Sequence, residues 1–291
     1  MLSRRNTINI LLFINLVLTL LLLSGCKGCN GIESFTEKDR RVVIVLIDYS
    51  ASNSEEVLNT YINTITGTIL SNLNQYDCLI VVPIDEGSKM QPVKLVNIDL
   101  ADTTFKKPTD GFAHANDSLN LRFKNYVKEA APKIDKELRE QKIKRKMYTY
   151  QTDILGALQQ TTNLIEYNSN QGTMKNIQDF VLGHIKLKSQ NIIVILSDMI
   201  QDSNDFSFNS KRGVTYKETN SYLKELENQS RIPNLDSCLV FAIGATGKNS
   251  TQIDNISFFW KQYFSKSKAD LQAYGYNVDD KLRKYLKQTN D

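Results

Sequence analysis

The 291-residue chain reads as an α/β protein with a Rossmann-like, doubly wound, mostly parallel sheet, helices on both faces and one antiparallel edge strand. Three observations predict it. Four apolar runs, Val42–Ile47, Cys78–Ile84, Asn191–Leu196 and Cys238–Ile243, are too short for ordinary helices and suit strands covered on both faces. Segments of helical spacing alternate with these runs, the pattern of parallel strands joined by crossover helices. A shorter alternating stretch, Val93–Ile98, suits a sheet edge.

The elements follow in order. After Ser52, the positions Val57, Tyr61, Ile65, Ile69 and Leu73 fall four apart and predict an amphipathic helix over 54–74. The polar stretch Asp99–Ser118, with Pro108 and Gly111, reads as a loop or an insertion. Phe123, Val127, Ala130, Ile134 and Leu138 keep helical spacing from Leu119 to about Arg145, with Pro132 as a site of kinking or division. A polar entry at Gln151-Thr152-Asp153 leads into a short helix, and a second helix is expected over 173–187. The rest of the pattern gives a helix near 215–229, a helix over 252–268, a last strand near 270–276 and a charged helix from Asp279.

The N-terminus is of another kind. Arg4 and Arg5 precede the apolar segment Ile8–Leu23, which ends in Ser24-Gly25-Cys26; these are the charged, apolar and small-residue regions of a secretory signal. The apolar part is shorter than the about 20 residues that a membrane span needs. Leu23-Ser24-Gly25-Cys26 resembles the lipobox of bacterial lipoproteins. That resemblance implies cleavage after Gly25, lipidation of Cys26, and attachment to the cell membrane or outer membrane, facing outside the cytoplasm. A short uncleaved anchor helix is the other reading, and either one tethers the chain to a membrane. Residues 26–40, polar and Gly-containing, are expected to be a flexible tether, and 41–291 a single domain.

Composition bounds the partners. The formal charge of +4 falls to +2 on loss of Arg4 and Arg5, so nothing marks the chain as a nucleic-acid binder. The one dense basic run, Lys142-Ile143-Lys144-Arg145-Lys146, follows Glu129, Asp135, Glu137 and Glu140 and reads as a solvated helix face. Cys78 and Cys238 sit in apolar runs, where buried free thiols are the default reading; a disulfide between them is left open.

At the end of the first apolar run, Asp48, Ser50 and Ser52 stand at every second position. In an extended or gently turning loop their oxygens converge. One carboxylate and two hydroxyls are hard ligands that suit Mg²⁺, or Mn²⁺ and Ca²⁺. Asp and Ser are also frequent turn and cap residues, so spacing alone leaves both readings open. Asp198 directly follows the third buried strand and, like Asp48, falls at a strand's carboxyl end, where open α/β sheets carry their ligand chemistry.

Asp48-Tyr49-Ser50-Ala51-Ser52, Thr152 followed by Ala157-Leu158, and Asp198 after a buried strand resemble the von Willebrand factor type A (VWA) domain over about residues 40–275. The resemblance implies a metal-ion-dependent adhesion site. Ser50 and Ser52 would ligate Mg²⁺ (or Mn²⁺ or Ca²⁺) directly, Thr152 would contribute in some states, and Asp48 and Asp198 would act directly or through water. The implied output is recognition of a protein partner whose acidic residue completes the metal. Two features depart from the family pattern: Met199 stands where Gly often follows the last Asp, and the segment 99–150 is long. Asp153 is a neighbouring oxygen that also suits a helix start.

Two other classes compete. A metal-dependent hydrolase would use Asp48 and Asp198 to activate water, but the sequence has no nucleophile elbow, phosphate loop or dinucleotide turn. His184 shares a helical face with Ile177, Phe180 and Val181, and His114 lies in the unassigned loop. The other class is a structural envelope lipoprotein without metal function. The aromatics Phe258, Phe259, Trp260, Tyr263 and Phe264 stand at helical spacing and read as core.

Overall fold

The computed structural model describes residues 36–288 except 87, 89–92, 101–114, 149 and 168–184. The elements are β1 (Thr36–Asp48), α1 (Glu55–Asn63), β2 (Cys78–Ile84), β3 (Val96–Asp99), α2 (Ala115–Lys144), α3 (154–167), β4 (Ile185–Leu196), α4 (Tyr216–Asn228), β5 (Leu239–Ile243), α5 (Ser250–Lys266), β6 (Asp270–Gly275) and α6 (Asp279–Gln288). The six strands form one sheet in the order β3-β2-β1-β4-β5-β6. Only the β2–β3 pairing is antiparallel. This is the doubly wound sheet with an antiparallel edge that the apolar runs predict.

Both faces are covered, as the continuous apolar strands require. Val42, Ile44 and Leu46 point into one core with α3, α4 and α5, while Val43, Val45 and Ile47 point into the other with α1, α2 and α6. Phe259, Trp260, Tyr263 and Phe264 of α5 are fully buried and are core, whereas Phe258 is only partly buried. Cys78 and Cys238 are buried and free, and burial pushes both thiols up to about 11.

Several bounds differ from the sequence reading, each for a physical reason. β1 begins at Thr36, five residues inside the expected tether, and pairs with β4 from Thr36↔Ile185 to Arg41↔Gln190. β2 starts only opposite Val42 and β5 only opposite Ile192, so this part of β1 and β4 projects past its neighbours. Asp39, Lys188, Ser189 and Gln190 here are exposed, while Arg40 and Arg41 are buried but charged, so the stretch gives no apolar buried-strand signal. Residues 185–187 are therefore strand and not the end of a helix; the remainder of the expected 173–187 helix, with His184, lies outside the described residues, as do His114, Cys26 and the N-terminal segment. α2 runs through Pro132 as one helix. The predicted 54–74 helix is present, but α1 passes into a π-turn at Thr64–Ile69 and a 3₁₀ turn at Leu70–Asn72. A strict spacing of four drifts by roughly 40° per turn on an α-helix of about 3.6 residues per turn. The wider π-turn draws it back, and Tyr61, Ile65, Ile69 and Leu73 are all buried.

Where β1 enters the sheet, Arg41 is 4% exposed. Its Nε donates to Asp77 Oδ2 at 2.9 Å and its backbone N–H to Asp77 Oδ1 at 2.8 Å. Its other nitrogens donate to Asn72 O and Leu286 O, so one guanidinium fixes β1, the end of α1's extension and α6. Removing one partner of such a pair strands a buried charge. Asp77→Ala is expected to lower unfolding stability by about 3–5 kcal/mol, read from denaturant melts.

Candidate metal centre

The sheet order reverses between β1 and β4. From β1 the chain moves outward to β2 and β3, and from β4 outward to β5 and β6. At such a switch point the two crossovers leave in opposite directions and open a crevice beyond the strands' carboxyl ends. The residues at those two ends are Asp48 and Ser197-Asp198.

The loop after β1 is built around Asp48, whose side chain is wholly buried. Ser50 N–H donates to Asp48 Oδ1 at 2.8 Å, and the Ser50 and Ser52 hydroxyl oxygens lie 2.9 Å apart. Asn53 Nδ2 donates to the Asp48 carbonyl at 3.2 Å and reaches Ser50 Oγ at 3.3 Å. Ser50 is 4% exposed, whereas Ser52 is open to solvent. The cluster thus has a buried carboxylate floor and a hydroxyl lip. Ser54 caps α1 in this loop, so the cap falls after the Asp-x-Ser-x-Ser run and not within it.

The second carboxylate arrives from β4. Ser197 Oγ donates to Asp48 Oδ2 at 2.8 Å and accepts from Met199 N–H at 3.0 Å, so this serine joins the two strand ends. Asp198, partly exposed, accepts from Ile200 N–H at 2.8 Å through Oδ1. Burial, then the nearby Asp48 charge, pushes the Asp198 carboxyl up to about 7. Burial also raises Asp48, against the pull of the Ser50 and Ser197 hydrogen bonds. Among the described residues no Lys, Arg or His forms an ion pair with either carboxylate.

Thr152 is 5% exposed and is held to the loop after β4 by paired backbone hydrogen bonds with Asp202, both 2.9 Å. It is thereby attached to the Asp198 loop, though it makes no direct hydrogen bond to Asp48, Ser50, Ser52 or Asp198. Asp153 is committed elsewhere: its Oδ1 accepts from Gly156 N–H at 3.1 Å and Gln201 Nε2 at 3.0 Å, the helix-start role.

Met199 adopts φ 65°, the left-handed conformation that glycine takes without cost. Its side chain is fully buried, and its carbonyl accepts from Trp260 Nε1 at 2.8 Å. Core packing and one indole hydrogen bond therefore hold a methionine in a turn that favours glycine.

Sequence reasoning missed four supporting residues. Ser197 meets Asp48 only because β1 and β4 are neighbours, and Asn53 acts within the loop after β1 without a motif of its own. Tyr61 read as a core position, yet its buried ring feels the charges of Asp48 and Asp198. Gly244 has φ 100°, and a Cβ there would lie 2.5 Å from the Tyr61 hydroxyl and 3.0 Å from Ser197 O.

Two carboxylates and two clustered hydroxyls are an all-oxygen donor set whose negative charge has no cation against it among the described residues, a chemistry that fits Mg²⁺, Mn²⁺ or Ca²⁺. Among the described residues no group of three or more His, Cys, Asp and Glu comes together, so the set differs from an acidic cage in resting on neutral hydroxyls.

No family profile and no curated protein matches the chain. Solved structures align over most of it, and those described next do so weakly. The proximal thread matrix protein 1 of mussel byssus has a TM-score of 0.35 at 13% identity over 86% of this chain, which spans 48% of that protein. The N-terminal domain of TFIIH p34 has a TM-score of 0.40 at 12% identity, over 86% of this chain and 96% of that one. The pilus adhesin SpaC of Lactobacillus rhamnosus GG, in an open conformation, has a TM-score of 0.41 at 12% identity, over 88% and 30%.

Two predictions come from this geometry. Gly244→Ala meets both a steric clash and an unfavourable φ, and is expected to lower stability by about 1–3 kcal/mol in thermal or denaturant melts. The second concerns pH. The Asp198 carboxyl is raised from its ordinary 3.8 to about 7, so its contribution to stability is full below 3.8 and is lost as pH rises through 7. In chelator the melting temperature should therefore fall from pH 5 to pH 8. Asp198→Asn should flatten that fall, and Mg²⁺ should raise the melting temperature more at pH 8 than at pH 5.

Proposed function

We propose that the chain is a membrane-anchored, extracytoplasmic binding protein of the VWA type. On this reading Cys26 carries the lipid anchor, in the cell membrane or outer membrane. Asp48, Ser50, Ser52, Thr152 and Asp198 hold one divalent cation, Mg²⁺ or else Mn²⁺ or Ca²⁺, and the partner is a protein that adds a carboxylate to it. The observation that supports this reading best is the pairing of two mutually repelling carboxylates at the β1–β4 switch point, with no side-chain cation against them among the described residues.

The residues have separable tasks. Ser50 and Ser52, already within hydrogen-bond distance of each other, are the closest ligands, and the exposed Ser52 opens the site to a partner. Asp48 and Asp198 supply the negative charge, directly or through water, and Ser197 and Asn53 orient the loop beneath. A bound cation supplies Lewis acidity toward an incoming carboxylate. Neutral hydroxyl ligands leave it attractive to one more anion, and Mg²⁺ keeps exchangeable waters that such an anion displaces. Binding, not turnover, is the output we infer.

The test is recovery of a partner from envelope extract by the wild-type chain, by Asp48→Ala, and by the wild type in chelator. The partner is expected only with wild type in Mg²⁺. Equal recovery in all three contradicts the metal-mediated reading, and metal-dependent turnover of a phosphate or peptide substrate would replace it with the hydrolase.

A further inference from the structure

The rim of the candidate centre carries apolar side chains that stand exposed among the described residues. Residues 142–150, KIKRKMYTY, leave the end of α2 and reach Thr152. Within them Ile143 is 76% exposed, Met147 79%, Tyr148 50% and Tyr150 80%. Single exposed apolar residues are ordinary, but four large ones in eight positions form a patch of the kind that marks an interaction site.

This segment is fastened to elements beside the site, the start of α1 and the loop after β2. Lys142 Nζ donates to Glu55 Oε2 at 3.1 Å, three residues after Ser52. Arg145 forms an ion pair with the fully buried Asp85 carboxylate at the end of β2, and Glu86 N–H donates to Tyr148 O at 3.2 Å. The Arg145 guanidinium also lies 5.8 Å from the Tyr148 ring centroid. Tyr49, next to Asp48, donates its hydroxyl to Leu138 O of α2 at 3.0 Å. The patch is thus set against the strand ends in a fixed position, and preorganised aromatic anchors of this sort carry much of the affinity in protein interfaces.

Resting on the metal-centred reading above, we propose that residues 142–150 form the second half of the partner-binding face, and that the partner presents an acidic residue flanked by large apolar side chains. The carboxylate goes to the cation site, and the neighbouring apolar groups pack on Ile143, Met147, Tyr148 and Tyr150.

Charge supports an acidic partner. Besides Arg145, which is paired with the buried Asp85, the segment holds Lys142, Lys144 and Lys146 and no acid. The pairs that Lys142 and Lys144 make with Glu55, Glu137 and Glu140 are surface pairs, which contribute little and yield to a competing carboxylate. Basic and apolar residues together also suit a bilayer surface, but the topology argues for a protein. The chain enters β1 at Thr36, and the thirteen residues to Asp48 rise roughly 40 Å. The patch lies toward the Asp48 end of β1, opposite the Thr36 end at which the chain enters the strand.

The test uses the full chain, purified in detergent, to select a displayed library of random twelve-residue peptides in Mg²⁺. Enriched peptides are expected to carry Asp or Glu beside Leu, Phe or Trp. They should lose at least tenfold in affinity for the double variant Met147→Ser/Tyr150→Ser, and similarly for Asp48→Ala or with chelator. Both serine positions are exposed, so the double variant should melt with wild type. Peptides that bind the double variant as tightly as wild type overturn the proposal, as does failure to enrich any acidic-apolar peptide. Loss with the double variant but not with Asp48→Ala or chelator keeps the patch and overturns the cation reading. Hydrogen exchange of 142–150 in phosphatidylglycerol-containing proteoliposomes supplies the remaining arm: protection there, absent in detergent, overturns the protein partner in favour of the membrane.

Discussion

Two carboxylates placed at neighbouring strand ends, with no positive side chain among the described residues to separate them, are the constraint around which this domain is arranged. A buried carboxylate is costly unless protonated, hydrogen-bonded or paired with a cation. Asp48 receives hydrogen bonds from Ser50 and Ser197, yet its charge still raises Asp198. The fold answers with protons at low pH, and on our proposal with a divalent cation at neutral pH. Because ligation needs the ionised carboxylates, cation binding and proton release are linked.

The surroundings hold that arrangement rigid. Met199 keeps a left-handed turn that costs about 1–2 kcal/mol for a residue with a side chain, held by burial and by the Trp260 indole. Gly244 lets Tyr61 approach Ser197 and the carboxylates from α1. Thr152 is stitched to Asp202 by two backbone bonds. Strained or glycine-dependent backbone of this kind concentrates where a site must be preorganised. Here it borders an exposed lip at Ser52 and the apolar rim beyond Arg145, so a rigid floor supports an open face.

The sheet was legible because the buried strands carry no polar alternation: Val42–Ile47 faces two cores at once, and the same holds for β2, β4 and β5. Legibility stopped where apolar burial stopped. Thr36–Arg41 and 185–190 pair past the ends of β2 and β5, and their polar sequence, in which even the buried Arg40 and Arg41 are charged, reads as tether and helix. The spacing of Asp48, Ser50 and Ser52 was readable, and these residues do cluster. Ser197 was not readable, because its partner Asp48 lies far away in sequence and meets it only through the β1–β4 pairing. The departure at Met199 is visible in the sequence, but its tolerance depends on a tryptophan some sixty positions away. Asp153 fell to the cap role because Gly156 and Gln201 take its oxygen.

The central claim is that these oxygens hold a divalent cation, and the most direct measurement is anomalous diffraction from crystals of the protein soaked in MnCl₂. The account predicts a manganese peak within ligand distance of Ser50 Oγ and Ser52 Oγ and beside Asp48 and Asp198, lost in Asp48→Ala. Manganese bound elsewhere, or a centre empty at saturating concentration and pH 8, would contradict it.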